Sequence, residues 1–392
     1  MTTRVFRGVT YTVETLTGNH QTFQGTQGND WLEAPGSNNV ISTGKGNDVI
    51  LAGLEFLSVG DYPPYGGPAI FYNSLPQASR TVGNDIIDAG SGDDYVAVGE
   101  GNYIVDLGKG NNIFDGGLTT GNIQVSAGNG NDIIDAGSGN YQIDAGGGNN
   151  SIYLAAGNAL VSTGSGNDLI TTNPFGGVGA LLSYISPDEG EGKPYKQVID
   201  AGNGNNQIEL TVFGKTSITT GSGQDFVLAA SASTQVLGKA VNSDSVDILT
   251  GSGNDTVITI DTKSLINTGA GNDLVIAGAG DDTIYTGSGR DVINLRGGTF
   301  SIPSPVDNLG FFGSEVTVQG GGNDTVYLES GNDKVILGSR GFATIYGFGK
   351  SDRLDVSGLN ATFTRMGHDT LISSGSNSLG ILKEYTSSVG LA

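Results

Sequence analysis

Gly90-Ser91-Gly92-Asp93-Asp94-Tyr95-Val96-Ala97 and, eighteen residues on, Gly108-Lys109-Gly110-Asn111-Asn112-Ile113-Phe114-Asp115 decide how this chain folds. Both are copies of a nine-residue unit, x-G-x-G-[ND]-[DN]-x-U-x with U aliphatic or aromatic, that recurs along almost the whole sequence. The frame is clearest from Arg80 to Thr171, disturbed only by a two-residue insertion within Gly116 to Ser126. Glycine tolerates positive φ and close backbone approach, so each G-x-G-N-D run reads as a tight turn. Three residues follow each turn, and the middle ones are Ile87, Val96, Val105, Phe114, Val125, Ile134, Ile143, Ile152, Val161 and Ile170. All are β-branched or aromatic, as a short strand with one buried side chain requires.

A turn plus a short strand cannot bury its apolar side alone, so successive units must stack around one shared core, which is a solenoid. Two units make one coil, and residues eighteen apart, such as Asp30 and Asp48, or Asp255, Asp273 and Asp291, sit above one another. Carboxylates stacked at an inter-strand spacing of roughly 4.8 Å repel strongly unless a cation lies between them. Calcium accepts six to eight hard oxygens in flexible geometry, and glycine turns leave carbonyls free to join carboxylates. Zinc would want His or Cys, and the chain has two histidines and no cysteine.

The unit resembles the RTX nonapeptide G-G-x-G-x-D-x-U-x over most of residues 25 to 346. That resemblance implies an all-β fold, a parallel β-roll (a right-handed β-solenoid with two nonapeptides per coil) holding Ca2+ between stacked turns. It also implies that the sixth-position carboxylates are the ligands: Asp30, Asp48, Asp85, Asp94, Asp132, Asp168, Asp225, Asp255, Asp273, Asp282, Asp291, Asp324 and Asp333. In the long run one side reads Asp94, Asn112, Asp132, Asn150, Asp168, so Asn112 and Asn150 join the metal column as neutral members. The other side reads Asp85, Tyr103, Ile123, Tyr141, Ala159, whose last four side chains cannot ligate calcium. Packing and backbone hydrogen bonds are expected to staple it. On the Asp94 to Asp168 column, each gap receives about one formal charge from this position, so binding there should lie near the 10⁻⁴–10⁻³ M of extracellular modules, and few or no ions are expected on the other side.

Some seventh positions, expected to face outward, are apolar: Ile86 with Ile104 on one sheet, Tyr95 with Ile113 and Ile133 on the other. They read either as strand propensity or as a lateral contact surface. Residues 1–24 look like an N-terminal strand cap, 25–337 the roll, and 338–392 a C-terminal cap. Insertions are expected at 52–79, 172–196, 229–249 and 295–318; their Pro and aromatic content suits ordered excursions that could carry recognition.

A net charge of −22 excludes a nucleic-acid role, and no apolar run approaches a membrane span, so membrane insertion is not expected. Met1 to Phe6 shows no Sec-type leader. RTX proteins are commonly exported unfolded by type I secretion. The Ile345 to Leu359 segment resembles one that closes such rolls, and Asp369 to Ile372 with Leu379 to Ala392 resembles the terminal secretion region. Without calcium the acidic chain should be expanded, and should compact when the ion is supplied.

No H-E-x-x-H surrounds His20 or His368, and no G-x-S-x-G elbow occurs. Asp188, Glu189 and Glu191 read as a solvated turn before they read as a carbohydrate cleft. The expectation is therefore a secreted, non-enzymatic, calcium-binding structural protein of the cell surface or extracellular matrix, assembling with copies of itself into a fibre, filament or coat. An adhesin-like module for polysaccharide or a host surface is the second reading.

Overall fold

A computed structural model describes residues 2–6, 8–62, 67–74, 83–117, 119–137, 139–155, 157–172, 195–212, 214–231, 244–301, 315–385 and 387. They belong to two compact units, Met1–Glu191 and Gly192–Ala392. Every regular element among them is a β-strand. Asp188, Glu189, Glu191, Phe311, Phe312, the run 63–66 and the final residues 388–392 lie outside the described set.

In the first unit, strands from alternate nonapeptides stack in parallel into two sheets. Val96 pairs with Phe114, Phe114 with Ile134, and Ile134 with Ile152 in one. Ile87, Val105, Val125, Ile143 and Val161 follow one another in the second. None of these side chains exposes more than 2% of its surface, so the aliphatic position of every unit points into the space between the sheets. The turns stack as well: Ser91, Lys109, Asn129, Gly147 and Ser165 form a column of parallel bridges. The structure is thus a parallel β-roll of two nonapeptides per coil.

Coil-to-coil stacking brings turn backbones so close that only glycine fits. Gly92 has φ +143°, and a Cβ there would lie 1.7 Å from the Gly46 carbonyl oxygen of the neighbouring coil.

The second unit repeats the scheme. Val227, Val257, Val275, Ile293, Val335 and Leu354 form the inward column of one sheet. Ile218, Ile248, Ile266, Ile284, Val326 and Ile345 form that of the other. Coil pairing continues past residue 337, because Phe342–Tyr346 and Arg353–Asp355 remain in register. Beyond them Ala361–Met366, Asp369–Ser374 and Asn377–Leu382 form an antiparallel meander, whose last strand pairs with Phe342–Tyr346 and covers that sheet edge.

The N-terminal segment is a hairpin, Thr2–Phe6 against Val9–Thr15, whose second strand continues the first sheet through Thr12↔Asp30. Trp31 is fully buried with Phe6 and Tyr11 edge-on at 6.1 and 5.9 Å, and the Arg4 guanidinium 4.4 Å from its ring centre. Two insertions contain antiparallel hairpins, Leu54–Tyr62 with Gly67–Ser74 and Gly297–Ser301 with Glu315–Gln319. Phe226–Ser231 and Ser245–Leu249 belong to the coil, so the excursion placed at 229–249 is narrower than expected.

The expected pair of outward apolar ladders is present on one sheet only. Val40, Ile86 and Ile104 are direct register neighbours exposing 47, 48 and 52%. Tyr95, Ile113 and Ile133 are half-buried, and Tyr95 packs against the cluster built by Phe6, Tyr11 and Trp31. The N-terminal hairpin brings that cluster across the sheet, which pairwise inspection of the repeat could not reveal. In the second unit the outward Phe226, Leu228, Ile258 and Ile276 are likewise buried together.

Gly92→Ala should destabilise the protein by more than about 1 kcal/mol, since it combines a strained φ with a backbone clash. Gly28→Ala, whose Cβ meets nothing nearer than the Thr26 hydroxyl at 3.7 Å, should stay within about 0.5 kcal/mol of the parent. Denaturant unfolding of the two variants checks the contrast.

Candidate metal centre

Each coil is laced to the next through the fifth and sixth residues of the turn. At the sixth position a side-chain oxygen accepts the backbone N–H of the equivalent residue one coil earlier. Asp30 N–H donates to Asp48 Oδ1 at 2.8 Å, Asp48 N–H to Asp94 at 2.7 Å, and Asp94 N–H to Asn112 at 3.0 Å. The ladder continues through Asp132, Asn150 and Asp168. In the second unit it runs from Asn206 through Asp225, Asp255, Asp273, Asp291 and Asp333 to Asp352, at 2.9 to 3.0 Å.

The fifth position forms a ladder of opposite polarity. Asp93 N–H donates back to Asn47 Oδ1 at 2.9 Å, Asn111 N–H to Asp93 at 2.7 Å, and Asn131 N–H to Asn111 at 2.9 Å. Two opposed rows of bonds therefore fix the register of every interface they cross.

The sixth-position aspartates have a second oxygen that this lacing does not use. Oδ2 of Asp48, Asp85, Asp94, Asp132, Asp225, Asp255, Asp273, Asp282, Asp291 and Asp333 is shut off from solvent and has no hydrogen-bond partner. Thr43, Thr220 and Thr268 donate to the carbonyls of Ala89, Thr250 and Thr286 at 3.0, 2.7 and 3.0 Å. A buried acceptor without a donor costs about 1–3 kcal/mol, more if charged.

Burial accordingly pushes the carboxyls up. Asp94 rises to about 8, through desolvation first and then the nearby charges of Asp48, Asp93 and Asp88. Asp324 also reaches about 8, by desolvation and the charge of Asp282, and Asp282 about 7 by desolvation. Asp48, Asp85, Asp132 and Asp291 reach about 6, desolvation leading in each. A row of desolvated, unpartnered carboxylate oxygens fits a divalent cation, which supplies the missing positive charge to hard oxygen donors. Among the described residues no three Asp, Glu, His or Cys side chains converge on one point. An ion there would therefore take one or two carboxylates and complete its shell with turn carbonyls.

Two ladder ends differ. Asp30 Oδ2 accepts the Thr26 N–H at 2.7 Å, and Asp352 Oδ2 accepts the Gly349 N–H at 2.7 Å, so their own turns satisfy both. Asp352 and Asn206 belong to the ladder but escaped the sequence reading. The Gly347-Phe348-Gly349-Lys350-Ser351-Asp352 spacing was the available signal for the first, and Gly202-Asn203-Gly204-Asn205-Asn206 for the second.

The opposite side of the first unit begins with Asn39, also missed, whose N–H donates to Asp85 Oδ1 at 2.6 Å. Tyr103, Ile123, Tyr141 and Ala159 are then buried, and the Tyr141 hydroxyl accepts Gly137 N–H while donating to the Gly116 carbonyl. Packing is joined there by something not anticipated. The fifth-position amides of Asn38, Asn84, Asn102, Asn122, Asn140 and Asn158 form a side-chain ladder, each Nδ2 donating to the preceding Oδ1 at 2.7 to 3.3 Å. In the second unit this side returns to carboxylates, Ser264 N–H donating to Asp282 and Asp282 N–H to Asp324.

In chelator the raised carboxyls bind more protons folded than unfolded, where they ionise near the usual 3.8. Stability is then fully present below about pH 4 and is lost progressively as pH rises from there to about 6 to 8. Melting in EGTA should fall steadily over that window, and millimolar calcium should abolish the fall. A melting temperature that climbs with pH in EGTA would contradict the assignment.

Residues 17–54, 81–105, 124–143, 142–170, 265–299 and 320–341 match the family model of the RTX calcium-binding nonapeptide repeat. No curated protein matches the chain. Stacked glycine turns, one buried aliphatic residue per unit and coil-to-coil aspartate lacing are the physical content of those matches, and the matched segments carry the RTX calcium-binding nonapeptide repeat.

Proposed function

We propose that this chain is a secreted, calcium-binding structural protein of the cell surface or extracellular matrix, which folds on export into calcium and assembles with copies of itself into a fibre or coat. The observation that carries the calcium half is the row of buried Oδ2 atoms with no partner. Calcium bound there supplies the positive charge that lets the carboxylates ionise within the roll. The chain's own residues do the rest: Oδ1 atoms set the register, glycines let the turns approach, and the inward aliphatic column excludes water. RTX repeat proteins are typically secreted, which suits an ion requirement that low-calcium compartments leave unmet.

Self-assembly draws support from the exposed Val40, Ile86 and Ile104 column, a contiguous apolar strip on an otherwise acidic protein. Adhesion is the second reading, with the Leu54–Tyr62 and Gly67–Ser74 hairpin as the element that leaves the coil. No helix among the described residues is long and apolar enough to cross a membrane.

Calorimetric titration with calcium and negative-stain imaging with calcium or EGTA test the proposal together. Calcium should give ordered polymers and EGTA none, and Ile86→Lys with Ile104→Lys should leave calcium binding intact while suppressing polymer. Binding on a glycan array by a chain that stays monomeric in calcium would favour adhesion.

A further inference from the structure

Some turns of the ladders carry asparagine at the sixth position where their neighbours carry aspartate. Asn112 and Asn150 hold the same coil-to-coil bond as the aspartates, accepting the N–H of Asp94 and of Asp132 at 3.0 Å. Their other terminal atom behaves differently. Nδ2 of Asn112 donates to the Gly110 carbonyl at 3.3 Å, Nδ2 of Asn150 to Gly148 at 3.3 Å, and Nδ2 of Asn206 to Gly204 at 3.3 Å. In each case the fourth-position glycine of the same turn accepts, and Asn206 Nδ2 also reaches the Gly202 carbonyl of that turn at 3.4 Å.

An aspartate in that place offers a carboxylate oxygen, which accepts and cannot donate. Oδ2 of Asp94, Asp132, Asp255 and Asp273 is indeed buried without a partner. A buried acceptor of that kind lacks a positive charge, which a cation can supply. The amide does from within the chain what the ion does from outside.

We infer that Asn112, Asn150 and Asn206 are self-closed turns that take no calcium through their side chains and keep their coils laced without it, so that the calcium load falls on the aspartate turns alone. This rests on the reading that those aspartate turns bind calcium. The second unit carries such a turn only at the head of its sixth-position ladder, at Asn206. Self-closed turns alternate with aspartates between Asp94 and Asp168, whereas the ladder from Asp225 to Asp352 contains none.

Calcium titration of the full chain by calorimetry, with Asn112→Asp, Asn150→Asp and Asn112→Ala beside the parent, tests it. Each aspartate variant should bind one more calcium ion than the parent, and Asn112→Ala the same number as the parent. Loss of an ion in Asn112→Ala, or no gain in either aspartate variant, would overturn the inference. Amide exchange of the parent in EGTA gives a readout that does not depend on the variants folding. The N–H groups of Asp94 and Asp132, held by asparagine, should stay protected at least about tenfold longer than those of Asp255 and Asp273, held by aspartate. Equal exchange would sink the idea. A parent that binds no calcium at all would overturn the underlying metal reading, an outcome separate from each of these.

Discussion

The structure depends on one bond repeated from coil to coil: a backbone N–H donating to the side-chain oxygen of the sixth residue in the next turn. It is short, between 2.7 and 3.0 Å along most of both ladders, and it is buried. Because each carboxylate uses one oxygen to hold the backbone, it cannot turn away to solvate the other. The same contact that sets the register therefore creates the need for a counter-charge. Stability and ion demand are two results of a single geometry.

Hydrophobic burial alone would not specify this arrangement. The inward column of Val, Ile, Leu and Phe side chains resembles many aliphatic rows and tolerates exchange among them. Register is set elsewhere, by glycine carbonyls approached too closely for any Cβ and by two side-chain ladders running in opposite directions. An error of one residue would move the aliphatic position outward and break both ladders together.

The two outer faces of the first unit divide the labour. One is occupied near the N-terminus by Phe6, Tyr11 and Trp31, with Arg4 stacked on the indole. The other remains open and presents Val40, Ile86 and Ile104 beside a solvent-facing row of asparagine amides. An apolar strip flanked by amides is suited to contact with another surface, and the buried face is not.

Repeat period, inward side chains and the carboxylate column were legible in the sequence, because each depends on residues at fixed offsets within one strand or turn. Asp94 and Asp132 could be placed on one ladder from spacing alone, a solenoid followed from the inability of a single unit to bury its apolar side, and the resemblance to the RTX repeat made that solenoid a parallel roll. Tertiary structure decided what spacing does not encode. Asp352 extends the ladder beyond the recognisable repeat, and Tyr95 loses its exposure to a hairpin distant in sequence. Asn112 turned from a neutral member of the metal column into a donor to its own glycine turn. In each case the deciding contact is between atoms whose proximity arises only after the coils close, so no local pattern of residue types could announce it.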